Sequence, residues 1–456
     1  MTVKALMPVR RNLVAPLGHK PTDMHTTDTA AIARAASGAV PHLIGASLRE
    51  SDLHSATVAR PTPGTATSTT ATRTTTSRAT TASPSPSAES DLFDLLVRAY
   101  IDCRRTKRNS ASALTFEAHA ERNLFKLHEE LIAGEYRPGR SICFVVTRPR
   151  PREVWAAEFR DRIVHWLLYN AIAPRFHASF VADSCACIPG RGTLYAAERL
   201  EHQVRSVTRN WSRPASYLKA DLANFFVSID KTVLLKQLGR RITEPWWMDL
   251  VATILMHDPR TDFDVRADRR ELALVPAHKS LFNAPAGHGL PIGNLSSQFF
   301  ANVLLDDLDQ FVKHRLRAPT YVRYVDDFVL LHQDAAWLVD ALAGIGHCLD
   351  ALHLRLNPRK TILQPASRGI DFVGHVVRPW HRVTRPRTLD AALHRIETMP
   401  AADVHASGNS YFGLLRQATH SHYDRARLAN ALRRRGHCIN SSFTKAFRRR
   451  PISQET

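Results

Sequence analysis

The sequence predicts an α+β fold, and three observations predict it. Apolar residues recur at helical spacing in several segments, short β-branched runs stand between them, and the two kinds are mixed without βαβ repetition. No internal repeat is found. The 456 residues, 44% of them hydrophobic, suffice for two to four domains at roughly 100–200 residues each. Lys and Arg number 62 against 42 Asp and Glu, a formal net charge of +20. A solvated basic surface is the plain reading of that surplus. Its size favours a polyanionic partner, because each phosphate contact releases a condensed counterion. No amphipathic basic helix stands out, so a membrane surface is the weaker partner.

The elements follow in order. Residues 1–90 form an extension expected to be disordered. Its stretch from Ser55 to Ser87 is rich in Thr, Ser, Ala and Pro and holds no acidic residue. Such a segment buries too little apolar area to offset its ordering entropy. It reads as a basic tether for RNA or as the product of an upstream start codon. Order is expected near Asp91, where Leu92, Leu95, Leu96, Ala99 and Tyr100 keep helical spacing. A second helix is expected from Thr115 to about Ala133, with Leu124, Leu127 and Leu131 on one face and Gly134 as its stop. Ile142 to Val146 reads as a strand. The Arg-rich segment after it leads into a helix from about Asp161. Tyr217–Leu222 is β-like, residues 321–331 a β-hairpin, about 335–352 a helix, and 370–377 a short strand pair. The last eighty residues read as helical and basic. Six cysteines, at 103, 143, 185, 187, 348 and 438, form no CxxC pair and no zinc spacing, so they are expected as reduced thiols. No run of 18 apolar residues and no signal-peptide core is found, which predicts a cytoplasmic protein without a membrane span.

The strongest local signal is Tyr321-Val-Arg-Tyr-Val-Asp-Asp-Phe-Val-Leu-Leu331. Two β-branched runs flank an Asp pair, and aspartate favours turns over strands. A tight hairpin would present both carboxylates at its tip; an ordinary Asp-containing turn is the plain alternative. A hundred residues earlier, Tyr217-Leu-Lys-Ala-Asp221 runs as a strand into an aspartate and then breaks. Nucleotidyl transfer needs two Mg²⁺ about 4 Å apart, bound by hard oxygen ligands together with waters and substrate phosphates. Asp221 and Asp326 fit that need, with Asp327 either holding an ion or supporting the residues that do.

These segments together resemble the reverse-transcriptase superfamily, over roughly residues 91–420 and in the expected order. The resemblance implies a right-hand polymerase. Fingers would come from about 91–215 and 240–300, palm from 216–239 and 301–377, and a helical basic thumb and tail from 378–456. The Asp221 segment looks like palm motif A, and Tyr324-Val325-Asp326-Asp327 like the YxDD box. Asp221, Asp326 and Asp327 would then be the catalytic, metal-holding residues for two Mg²⁺, with Mn²⁺ able to substitute. Phe226 falls at the position of the aromatic gate that rejects a ribose 2′-hydroxyl; packing beside Phe225 is its plain alternative. Lys360, in Leu354–Thr361, falls in motif D near the pyrophosphate, as a general acid or as a solvated charge. Phe372-Val-Gly-His-Val-Val377 looks like the primer-grip hairpin, and Asn409–Arg416 like the start of a thumb. Of Arg148, Arg150 and Arg152, the last is the first choice to hold the incoming triphosphate, since guanidinium forks match phosphate oxygens. All three also read as a generic RNA-binding face.

One segment discriminates among subfamilies. Gly289-Leu-Pro-Ile-Gly-Asn-Leu-Ser-Ser-Gln298 carries Ile292 where most members have Gln, and Gln298 where they have Pro. That IGxxxSQ form is similar to the reverse transcriptases of diversity-generating retroelements, which misincorporate opposite template adenines. Ile292 cannot donate the hydrogen bond a Gln would give the nucleotide, which weakens discrimination; packing within the palm is the plain alternative. Gly293 would allow close backbone approach to nucleotide or template. Implied partners are an RNA template, a DNA or RNA primer and the cDNA product, dNTPs, and a small basic accessory protein. The rivals are a phage-defence or other non-mobile reverse transcriptase and a catalytically idle RNA-binding scaffold. The residues after 377 leave no room for an RNase H or nuclease domain beside a thumb, and the long N-terminal extension departs from the family pattern.

Overall fold

The computed structural model describes residues 86–107, 110–148 and 150–448. Residues 1–85 of the extension expected to be disordered lie outside them. Helix α1 (Pro86–Lys107) begins ahead of Asp91, and its Leu92, Leu96, Ala99 and Cys103 bury one face at helical spacing. The single helix expected from Thr115 to Ala133 is two, α2 (Ala111–Glu117) and α3 (Ala120–Ile132). The break has a local cause: Asn123 Nδ2 reaches back to the Phe116 carbonyl at 2.9 Å, and His119 leaves helical geometry. Gly134, at φ +67°, ends α3 as its sequence predicts.

Strand β1 (Ser141–Val146) pairs antiparallel with β2 (Arg152–Ala157). The second strand was not expected. It is buried along nearly its whole length, so it shows no polar alternation. Helices α4 (Phe159–His177) and α5 (Thr193–Val207) follow, then β3 (Ser216–Asp221). A short turn of helix, α6 (Phe225–Ser228), leads to α7 (Lys231–Gly239) and α8 (Pro245–Met256). Strand β4 (Phe263–Val265) adds in parallel to β1, ahead of the short α9 (Arg269–Ala273). Helix α10 (Leu295–Gln310) runs through the core.

The central sheet has strand order β5-β6-β3-β7, with β5 (Tyr321–Tyr324), β6 (Asp327–His332) and β7 (Ile362–Pro365) all antiparallel to their neighbours. Helix α11 (Ala335–Asp350) connects β6 towards β7. Side-chain alternation divides the sheet's faces. Leu218, Ala220, Phe328 and Leu330 enter the large core beside α10 and α11. Tyr217, Val322, Val329 and Leu331 join a second core with α5 and the meander β8 (Ile370–Phe372), β9 (His375–Arg378), β10 (His381–Thr384). The strand pair expected at 370–377 is present, and β10 extends it. Helices α12 (Pro386–Thr398), α13 (Ala401–Leu415) and α14 (His422–Arg434) bury Leu389, Ile396, Val404, Phe412, Leu428 and Leu432 in a core of their own. The expected helical C-terminal part also carries a small antiparallel pair, β11 (His437–Ile439) and β12 (Ala446–Arg448). Among the described residues, no cysteine takes part in a disulfide.

Candidate active site

Asp221 is the last residue of β3 and Asp327 the first of β6, and the two stand opposite each other in register. The hairpin β5–β6 closes through Val325 and Asp326, with Tyr324 paired to Asp327. Val325 has φ +57°, a left-handed conformation that is costly for a β-branched residue. A buried brace holds this turn. Arg323, 1% exposed, donates from Nη1 to the Val325 carbonyl at 2.9 Å. Its Nε and Nη2 bond the two oxygens of Asp309 at 2.7 and 2.6 Å, and Asp309 also accepts from the Tyr321 hydroxyl at 2.7 Å. Nη2 reaches Ser184 Oγ at 2.8 Å and Nη1 reaches Asn302 Oδ1 at 3.2 Å. Every donor of the guanidinium thus works on the underside of the hairpin that carries the carboxylates.

The backbone of Asp221 is pinned from two sides. Leu222 N donates to the Asp326 carbonyl at 3.1 Å, and Asn357 N to the Asp221 carbonyl at 2.8 Å. Asn224, at φ +50°, then turns the chain out of β3. Lys360 brings its Nζ to 2.7 Å from both carboxylate oxygens of Asp221. Lys219, two residues before Asp221 and on the same face of β3, stands 3.1 Å from Asp327 Oδ2 and donates to the Asp371 carbonyl of β8 at 2.7 Å. Burial pushes the Asp326 carboxyl up to about 6, and the neighbouring Asp221 charge adds to the shift. Burial likewise pushes Asp327 up to about 6, against the opposing pull of Lys219.

The other expected residues lie on β2 and the turn before it, on the turn after Asp221 and on the loop before α10. Arg152 opens β2; burial lowers its pKa, and the charge of Asp326 offsets part of that shift. Arg148 and Arg150 are exposed in the β1–β2 turn. The loop before α10 is sewn onto β2: Trp155 N donates to the Ile292 carbonyl at 2.7 Å, and Ala157 N to Asn294 Oδ1 at 3.1 Å. Gly293, at φ +129°, makes its close approach here. A Cβ on it would lie 2.8 Å from Val154 Cγ1 and 3.2 Å from the Trp155 carbonyl. Phe226 is half-buried, edge-on to Phe225 at 5.3 Å, and its carbonyl accepts from Leu290 N at 2.8 Å. The turn after Asp221 and the loop bearing Ile292 and Gly293 are therefore tied together.

Sequence reading missed Arg323, Asp309 and Lys219. A signal for the first two existed: Arg323 shares the inward face of β5 with Tyr321, and Asp309 interrupts an apolar helix face. Lys219 looks like any strand lysine until β8 is folded beside it.

The reverse-transcriptase resemblance implies a divalent metal, and the carboxylate set fits one. Asp327 Oδ1 is buried without a hydrogen-bond partner, and Lys360 already places one cationic group across Asp221. Among the described residues, no group of three or more His, Cys, Asp or Glu side chains converges as a preformed metal cage. That suits Mg²⁺, which is held by one or two carboxylates and completed by substrate phosphates and waters.

A four-stranded antiparallel sheet presenting these carboxylates, flanked by a strand-and-helix layer on one side and a helical C-terminal unit on the other, defines a right-hand polymerase fold. The reverse transcriptase (RNA-dependent DNA polymerase) family model matches residues 149–377, just over half of the chain, and the chain belongs to that family. It is 24% identical over 309 residues to protein YkfC of Escherichia coli (strain K12), spanning 60% of this chain and 74% of that one. It is also similar to a solved telomerase from Candida albicans in complex with a TWJ fragment of telomeric RNA. The identity there is 15% and the TM-score 0.39, over 66% of this chain and 54% of the telomerase chain. This chain thus spans about half the length of that telomerase chain. Among the described residues no helix is long and apolar enough to cross a membrane.

Proposed function

We propose that the chain copies a template RNA into cDNA within a diversity-generating retroelement, with errors concentrated at template adenines. The observation that carries the polymerase reading is the register of Asp221 against Asp327, with Asp326 at the tip between them. The reaction is in-line attack of a primer 3′-hydroxyl on the α-phosphorus of a dNTP, with pyrophosphate leaving. Positioning and charge neutralisation drive it without a covalent enzyme intermediate. Two Mg²⁺ held by Asp221, Asp326 and Asp327 would supply charge neutralisation and an acidified 3′-hydroxyl. Arg152 binds the triphosphate, because its guanidinium sits half-buried within the field of Asp326. Lys360, which stands across the Asp221 carboxylate, gives a proton to the leaving pyrophosphate. Phe226 closes the space beside the ribose C2′. Fingers, palm and thumb divide near 215–216, 239–240, 300–301 and 377–378, and a small basic protein assists the complex.

The adenine-directed reading rests on Ile292. Its carbonyl accepts from Trp155 N, and its side chain, unlike that of a Gln, has no group to hydrogen-bond a nucleotide. The test is to give the purified protein its flanking RNA, the neighbouring accessory protein, dNTPs and Mg²⁺, and to sequence the cDNA. Errors should cluster at template adenines, and Ile292→Gln should lower them about fivefold, one hydrogen bond's worth. Evenly accurate cDNA would sink the adenine reading and leave the polymerase standing; absent cDNA would sink both.

A further inference from the structure

The β9–β10 connection is a two-residue turn, with Arg378 paired to His381 and Pro379-Trp380 at its corners. Proline at the first corner and a positive φ at the second is the type II pattern, in which the second corner belongs to Gly or Asn. Here it is Trp380, at φ +69° and 61% exposed. Two costs therefore meet in one residue. The indole is held in a backbone conformation that side chains disfavour, and its ring is left in water. None of the described ring contacts or cation–π contacts takes it up. An outlier that the fold does not compensate points to a ligand.

The surroundings say which ligand. β10 is bonded to the loop before α14: Arg382 N donates to Thr419 Oγ1 at 2.7 Å, and His420 N to the Arg382 carbonyl at 3.2 Å. The rings of His381 and His420 meet edge-on at 4.9 Å. Three residues further lies Tyr423, 74% exposed, within about 10 Å of His420 along the chain. Arg378, Arg416 and Arg427 are exposed on the same three segments. From residue 378 to 448 the chain has 13 Lys and Arg against 4 Asp and Glu. Exposed flat rings on a unit rich in arginine match a strand whose bases are unstacked and whose backbone is anionic. The turn also stands apart from the carboxylates. Asp371, which Lys219 ties to Asp327, pairs with Val376, and Trp380 lies four residues beyond, about 13 Å along the strand.

We propose that Trp380 and Tyr423 form a second nucleic-acid site, which stacks unpaired RNA bases outside the catalytic groove while Arg378, Arg416 and Arg427 hold the backbone. The site anchors a single-stranded segment of the RNA being copied, or of its flank.

The test is fluorescence anisotropy of the full-length protein with an unstructured labelled RNA of about 20 nucleotides. Beside it runs extension of a short pre-annealed primer–template that is too short to reach the turn. Trp380→Ala and Tyr423→Ala should each weaken RNA affinity about tenfold. Trp380→Phe should restore most of it and Trp380→Leu should not, which separates stacking from apolar burial. Trp380→Gly should lose affinity without lowering Tm, because glycine relieves the positive φ. Extension of the short duplex should continue at the wild-type rate. RNA affinity unchanged in Trp380→Ala/Tyr423→Ala would overturn the proposal. So would loss of a protein partner with RNA affinity intact, which would assign the surface to protein. A chain inactive as a polymerase would still give a decisive anisotropy result.

Discussion

Asp326 and Asp327 both titrate near 6, because burial disfavours their charged forms. The consequence for stability has a definite sign. Both folded values lie above the ordinary carboxylate value, so their stabilising contribution is present at low pH. It is lost as pH rises from about 4 through about 6. A divalent ion reverses that loss, since it needs the deprotonated carboxylates. Mg²⁺ should therefore raise Tm at pH 8 and leave it unchanged at pH 5, as read by thermal melts with and without the ion. Equal shifts at both pH values would remove the carboxylates from the metal site. Arg323 makes a different residue-scale claim. Deleting one partner of a buried pair leaves the other charged and unmatched, at a cost of about 3–5 kcal/mol. Arg323→Met should lower stability by that order in denaturant melts. A loss below about 1 kcal/mol would show that the Asp309 brace is dispensable.

The loop that Gly293 allows onto β2 carries the prediction at the level of elements. Gly293→Ala places a methyl 2.8 Å from Val154 and forces an L residue to φ +129°. The loop must lift from β2, and Arg152 and Ile292 lose their common support. Nucleotide incorporation should fall about tenfold or more, mainly in kcat, with a stability loss of about 1–3 kcal/mol. Incorporation at the wild-type rate would separate the loop from the chemistry. The same level shows what a sequence can tell. The β5–β6 hairpin was legible because two β-branched runs flank residues that prefer turns. β2 was not, because a strand buried on both faces shows no alternation. β10, β11 and β12 have three or four residues each, too few for a period to emerge. In the site, Asp221, Asp326 and Asp327 could be read from local context together with a family resemblance. Lys219 could not, because its role depends on a partner brought in from 152 residues away; Arg323 and Asp309 showed only as charges on apolar faces, which does not reveal that they pair.

At the scale of the whole molecule, charge and shape act together. A net charge of +20 attracts any RNA, without regard to sequence. Salt should therefore weaken RNA binding steeply. Replacing Trp380 and Tyr423 should lower affinity by the same factor at every salt concentration, because stacking releases no counterion. A change in the salt slope itself would show that those rings act through the arginines beside them.

The central claim is that Asp221, Asp326 and Asp327 perform RNA-directed DNA synthesis. The most direct measurement is Mg²⁺-dependent incorporation of dNTPs on a primed RNA template by the wild-type chain and by Asp326→Ala, with RNA affinity measured on the same samples. Incorporation should fall by at least about a thousandfold in the variant, with RNA affinity within about twofold of the wild type. Full incorporation by Asp326→Ala, or none by the wild type with either Mg²⁺ or Mn²⁺, would contradict the account.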